Sequence, residues 1–144
     1  MNPTLEKYNY PRSLVRDYCH WAVLIRPWQL TLGCLIFVEK SEATAVGQLS
    51  PNALIEFGLV GSHAEGMLSS IFRNDKINYI ALMMSDPNVH FHVIPRYSSA
   101  REFQGAEFTD SGWPKPPDLT FTNATAAGQL EALRKHLADL WPQT

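Results

Sequence analysis

Apolar residues follow two different rhythms along the 144-residue chain. Short apolar runs at 21–26, 35–38, 77–84 and 89–94 read as strands, and Pro27 and Pro95 close two of them. A three- and four-residue rhythm links Leu54, Phe57, Val60, Ala64, Met67, Leu68 and Ile71. It predicts an amphipathic helix that starts at Ser50-Pro51, with Ser as N-cap and Pro in the first turn. Leu130, Leu133, Leu137, Leu140 and Trp141 repeat the pattern and predict a second helix within 124–141. Ser13–Tyr18 reads as a helical turn. The order ββαββ predicts an α+β sandwich with its helices on one face of an antiparallel sheet. Ser85-Asp86-Pro87 is expected to turn the third strand into the fourth. Residues 98–123 carry no rhythm, yet they hold Phe103, Phe108, Trp113 and Phe121, so they read as a strap packed on the domain or on a second subunit.

The last strand has two unlike faces. Alternation puts Val89, Phe91 and Val93 on one face, and Asn88, His90, His92 and Ile94 on the other. The first face suits a core. The second presents two imidazoles about 7 Å apart along the backbone.

Composition narrows the possibilities. The length suits one domain, 1–144, with its structural centre at about 20–97. A domain of this size buries enough surface to fold without a metal or disulfide. The net charge of -2 gives no basic field for long nucleic acid. Cys19 and Cys34 lack metal or redox spacing and read as reduced thiols of a cytoplasmic protein. The N-terminal residues have no apolar signal-peptide core, and no apolar run approaches membrane-spanning length.

The histidine face is open to three uses: two satisfied sheet histidines, a metal site, or acid–base and nucleophilic catalysis. The metal use lacks a third ligand at suitable spacing. For catalysis, imidazole is mostly neutral at pH 7 and is a good nucleophile toward phosphorus. Two imidazoles this close resist charging together, so one can attack while its neighbour donates hydrogen bonds to phosphate oxygens. Asn88 adds a neutral donor, and the Arg96 guanidinium matches phosphate in shape. This use requires His90 to face an open pocket. His63 and His136, on the predicted helices, are assigned no chemistry.

His90-Phe91-His92-Val93-Ile94-Pro95-Arg96 resembles the end of the histidine triad (HIT) signature, in the form typical of the Fhit-like and diadenosine polyphosphate hydrolases. Leu32-Gly33-Cys34-Leu35-Ile36-Phe37-Val38 resembles the paired strand before that family's first helix. The resemblance implies a HIT fold with about five antiparallel strands and two helices, its sheet continued across a homodimer. It implies a nucleotide substrate, a nucleophilic His90, a phosphate-contacting His92 and a nucleotidyl-histidine intermediate. The substrate class implied is a nucleoside 5′-phosphate anhydride or phosphoramidate. No cofactor is implied beyond Mg²⁺ chelated by a polyphosphate substrate, and no protein metal site. By position, Asn88, Ser85 and Arg96 would contact phosphate, and Arg26, Gln29 and Thr31 would flank the nucleoside. The chain departs from the family at Asn88, which stands at the first triad position, and at Cys34, where a histidine is usual.

Overall fold

A computed structural model of the chain describes residues 2–143. Five strands form one antiparallel sheet: β1 (Leu14–Asp17), β2 (Trp21–Ile25), β3 (Leu35–Glu39), β4 (Lys76–Ile80) and β5 (His90–Arg96). Their spatial order is β1-β2-β3-β5-β4, so β5 lies inside the sheet and β4 at its edge. Helix α1 (Pro3–Lys7) precedes the sheet, α2 (Pro51–Phe72) joins β3 to β4, and α3 (Gln129–Leu140) ends the chain. Between β5 and α3 lies a short hairpin, β6 (Arg101–Phe103) and β7 (Ala106–Phe108). No described helix is long and apolar enough to cross a membrane.

Alternation along the strands builds two cores. Trp21, Val23, Ile25, Leu35, Phe37, Val89 and Val93 join Val60, Ala64 and Leu68 of α2 and Leu133 and Leu137 of α3. Ala22, Leu24, Ile36 and Val38 point the other way and are covered by Leu5 and Tyr8 of the N-terminal segment. The sheet is thus clothed on both faces, with α1 on the histidine side. This corrects the expectation of helices on one face only. It also explains why β2 and β3 read as continuous apolar runs: both of their faces are buried.

Helix α2 starts as expected, with the Ala53 N–H donating to the Ser50 hydroxyl at 3.1 Å. It packs close to Gly33, which has φ +91° and would carry a Cβ only 3.1 Å from Leu68. The residues expected as a helical turn are instead strand β1, paired with β2 through Leu14↔Leu24 and Asp17↔Ala22. The third predicted strand ends at Ile80, so β4 and β5 are antiparallel neighbours joined by a nine-residue loop rather than a tight turn.

The strap is fastened by charge. Arg96 and Asp110 form a bidentate pair at 2.7 and 3.1 Å, with side chains 4% and 2% exposed. The guanidinium also donates to Asn78 Oδ1 and to the Lys115 carbonyl, and the Tyr97 N–H donates to Asp110 Oδ2. Arg96 therefore anchors residues 110–115 to the sheet rather than offering itself to phosphate. Buried charge needs this kind of enclosure by partners.

Candidate functional site

The site is built on β5. The backbone carbonyl of Asn88 lies 2.7 Å from His90 Nδ1. A carbonyl only accepts, so Nδ1 carries the proton and Nε2 of the neutral ring carries the lone pair. His92 is held in the opposite sense. Arg26, at the end of β2, donates Nε–H to His92 Nδ1 at 3.2 Å. Its Nδ1 is thus the acceptor, and its proton sits on Nε2. The two rings are 5.1 Å apart, edge to face. One face therefore presents a nucleophilic nitrogen beside a hydrogen-bond donor.

Burial, then the Arg26 charge, then His90, push the His92 pKa down to about 4. The ring is neutral at pH 7 and donates without bringing a further positive charge beside His90 Nε2.

Among the described residues, His90 is enclosed rather than facing the expected open pocket. The ring is 2% exposed and His92 is 8% exposed. The cover is the N-terminal segment: the Tyr8 ring centre lies 6.0 Å from His90 and 6.3 Å from His92. The Tyr8 hydroxyl donates to Asp86 at 3.0 Å, and Lys7 pairs with the same carboxylate at 2.7 Å. Burial and Asp86 raise the Tyr8 pKa to about 12, so the phenol stays protonated. Thr4, Lys7 and Tyr8 were not among the expected site residues. A signal for them exists, since Asn2-Pro3 is an N-cap followed by a first-turn proline, and Asn2 Oδ1 accepts from Leu5 N–H at 2.9 Å.

The other expected residues divide. Asn88 is beside His90, but its side chain turns to the cover. Its Oδ1 accepts from the Thr4 hydroxyl at 3.0 Å and from the Thr4 N–H at 3.4 Å. Ser85 is exposed on the β4–β5 loop. Gln29 and Thr31 are interior braces of the β2–β3 connection rather than nucleoside contacts. Gln29 donates to the Arg26 and Cys34 carbonyls and accepts from the Gly33 and Cys34 N–H groups. Thr31 donates to the Pro95 carbonyl. A long connection tucked inside the protein leaves backbone groups that only such side chains can satisfy. Cys34 is fully buried against Thr31, and burial pushes its thiol pKa up. Away from the site, His63 is held by the Tyr18 hydroxyl at 2.8 Å. Among the described residues no three His, Cys, Asp or Glu side chains are grouped to hold a metal ion.

No protein-family model and no curated protein matches the chain. Solved structures do. A histidine triad protein from Bradyrhizobium japonicum is 19% identical, with a TM-score of 0.72 over 96% of this chain and 95% of that one. A histidine triad (HIT) protein from Sinorhizobium meliloti is 16% identical, with a TM-score of 0.73 over 96% and 94%. A hypothetical histidine triad nucleotide-binding protein from Sulfolobus tokodaii is 13% identical, with a TM-score of 0.66 over 94% and 87%. The chain has the fold of the histidine triad proteins.

Proposed function

We propose that the histidine face binds a nucleoside 5′-phosphate anhydride or phosphoramidate and cleaves it at the nucleoside phosphorus. The observation that carries this reading is the His90 tautomer, because Nδ1 is tied to the Asn88 carbonyl and the lone pair is left on Nε2. In this reading His90 Nε2 attacks phosphorus, and the bond to the leaving phosphate or amine breaks with its electron pair. His92 Nε2–H donates to a phosphate oxygen as charge builds there. The imidazolium of the nucleotidyl-His90 intermediate keeps its Nδ1 proton on the Asn88 carbonyl. Water then breaks the P–N bond, releases the nucleoside monophosphate and regenerates the ring. With a polyphosphate substrate, Mg²⁺ enters as its counterion.

Substrate reaches His90 only when Tyr8 moves off the ring pair. The segment from Asn2 to Tyr8 is therefore part of the reaction cycle as its cover. Pairing of two chains along the open edge of β4 supplies the homodimer, with the sheet continued from one subunit to the next. An open groove of about 920 Å³ runs along that edge to Trp113 and Lys115 of the strap, which leaves the edge accessible to a partner. A molar mass of one chain by light scattering at working concentration would exclude the dimer.

The chemical reading is tested with wild-type protein and His90→Ala, each incubated with adenosine and guanosine dinucleoside polyphosphates and phosphoramidates. Wild type is expected to release nucleoside monophosphate and to show a nucleotidyl adduct on His90 by mass spectrometry. Undiminished release by His90→Ala overturns the role of that residue. A second reading, nucleotide binding without turnover, is favoured by the covered His90 and by the Asn88 amide oxygen being engaged with Thr4. Binding with no product and no adduct from any substrate would select it.

A further inference from the structure

Arg26 is the odd group of this site. It is 9% exposed, yet it forms no ion pair with an Asp or Glu among the described residues. Its neighbours are uncharged: Nε donates to His92 Nδ1, Nη1 donates to the Trp28 carbonyl, the backbone N–H donates to the Cys34 carbonyl, and the guanidinium lies 5.9 Å from the centre of the Trp28 ring. Nη2 has no hydrogen-bond partner among the described residues. A buried cation without a counterion is unfavourable unless a ligand supplies one. By contrast, Arg96, the other buried arginine near β5, has a full bidentate carboxylate.

We infer that Arg26 is the positioning residue of the histidine pair: it fixes the proton of His92 on Nε2, and its unpaired charge is reserved for the phosphate of the bound nucleotide. This rests on the proposed nucleotide reading of the face, and gives Arg26 a phosphate rather than a nucleoside role. The groups facing His92 from the surrounding elements are Arg26 of β2's end, His90 on β5, Asp86 of the β4–β5 loop, and Lys7 and Tyr8 of the N-terminal segment. Of these, Arg26 alone is hydrogen-bonded to the ring. Cys34 cannot share the task, because its thiol is occupied with Thr31 inside the β2–β3 connection. The guanidinium thus does two jobs with separate donors: one N–H orients an imidazole, and the remaining edge meets an oxyanion.

The test is nitrogen NMR of the histidines in the full chain, wild type against Arg26→Met and Arg26→Lys, with nucleoside monophosphate as the binding probe. In wild type, His92 is expected with Nδ1 unprotonated and Nε2 protonated, and with a titration midpoint near 4. Arg26→Met is expected to mix the two tautomers, to move the midpoint toward the ordinary 6.5, and to weaken nucleotide binding about tenfold or more. Arg26→Lys restores charge without the planar fork, so it is expected to recover binding in part and the tautomer poorly. A wild-type His92 protonated on Nδ1 overturns the inference outright, even if neither variant folds. So does a folded Arg26→Met with unchanged tautomer and unchanged affinity. If the tautomer responds but no nucleotide binds wild type, the positioning role stands, and both the charge's phosphate role and the nucleotide reading of the face fail.

Discussion

Thr4 of α1 and Asn88 of the β4–β5 loop are joined by reciprocal hydrogen bonds: the Thr4 hydroxyl donates to Asn88 Oδ1 at 3.0 Å and accepts from the Asn88 N–H at 3.3 Å. Asn88 is therefore a tether for α1. Thr4→Val should remove about 1 kcal/mol of the cover's closure, which makes His90 roughly fivefold more reactive. Carbethoxylation followed by peptide mass spectrometry reads this, with exposed His136 as internal reference. Equal His90 and His136 rates in wild type would show that the face is not covered at all.

Asp110→Ala leaves the Arg96 guanidinium buried without its carboxylate. The expected loss is about 3–5 kcal/mol of unfolding free energy, the usual scale for a broken buried pair. Urea unfolding followed by tryptophan fluorescence measures it. A loss under about 1 kcal/mol, the range of a solvent-exposed pair, would contradict the strap's anchoring role.

Gly33→Ala combines two penalties. The backbone is in the left-handed region at φ +91°, and the added methyl would meet Leu68 at 3.1 Å and Phe72 at 3.2 Å. Destabilisation above about 1 kcal/mol is expected, seen as a lower Tm in a thermal melt. An unchanged Tm would mean that α2 does not press on this turn.

Acid should weaken the fold through His92. Its pKa is near 6.5 when unfolded and about 4 when folded. Above pH 6.5 neither state is protonated and no penalty exists. As pH falls from 6.5 to 4, the unfolded chain binds a proton that the folded chain refuses, so stability drops by at most about 3 kcal/mol. Below pH 4 both states are protonated and the loss levels off. Urea midpoints across this window should fall less in His92→Gln than in wild type.

The strand pattern makes the histidine face legible. Alternation in β5 alone separates the core side of Val89, Phe91 and Val93 from the side of His90 and His92. Other features escaped for identifiable reasons. Strand β1 contains Arg16 and Asp17, which blur a four-residue pattern, and it exists because β2 offers it a partner. The β6–β7 hairpin has only three residues on each side of Gln104-Gly105, whose positive φ values of 50° and 80° make the turn. The place of Arg96 after the histidines suggests a phosphate contact. Its actual partner, Asp110, lies in a stretch without periodicity, so nothing along the chain announces the pair. The Arg26–His92 bond joins the residue after β2 to β5, which are not adjacent in the sheet because β3 lies between them. Pattern reading sees faces of single strands and cannot supply that kind of meeting.

The tether at position 88 makes any experiment there double-edged. Asn88→His would add an imidazole and, in the same stroke, unfasten α1 from the loop that holds it. A rise in the proposed hydrolysis would then have two sources, the new ring and an unshuttered doorway. Thr4→Val opens the doorway while leaving Asn88 in place, so the difference between the two variants isolates what the imidazole itself contributes.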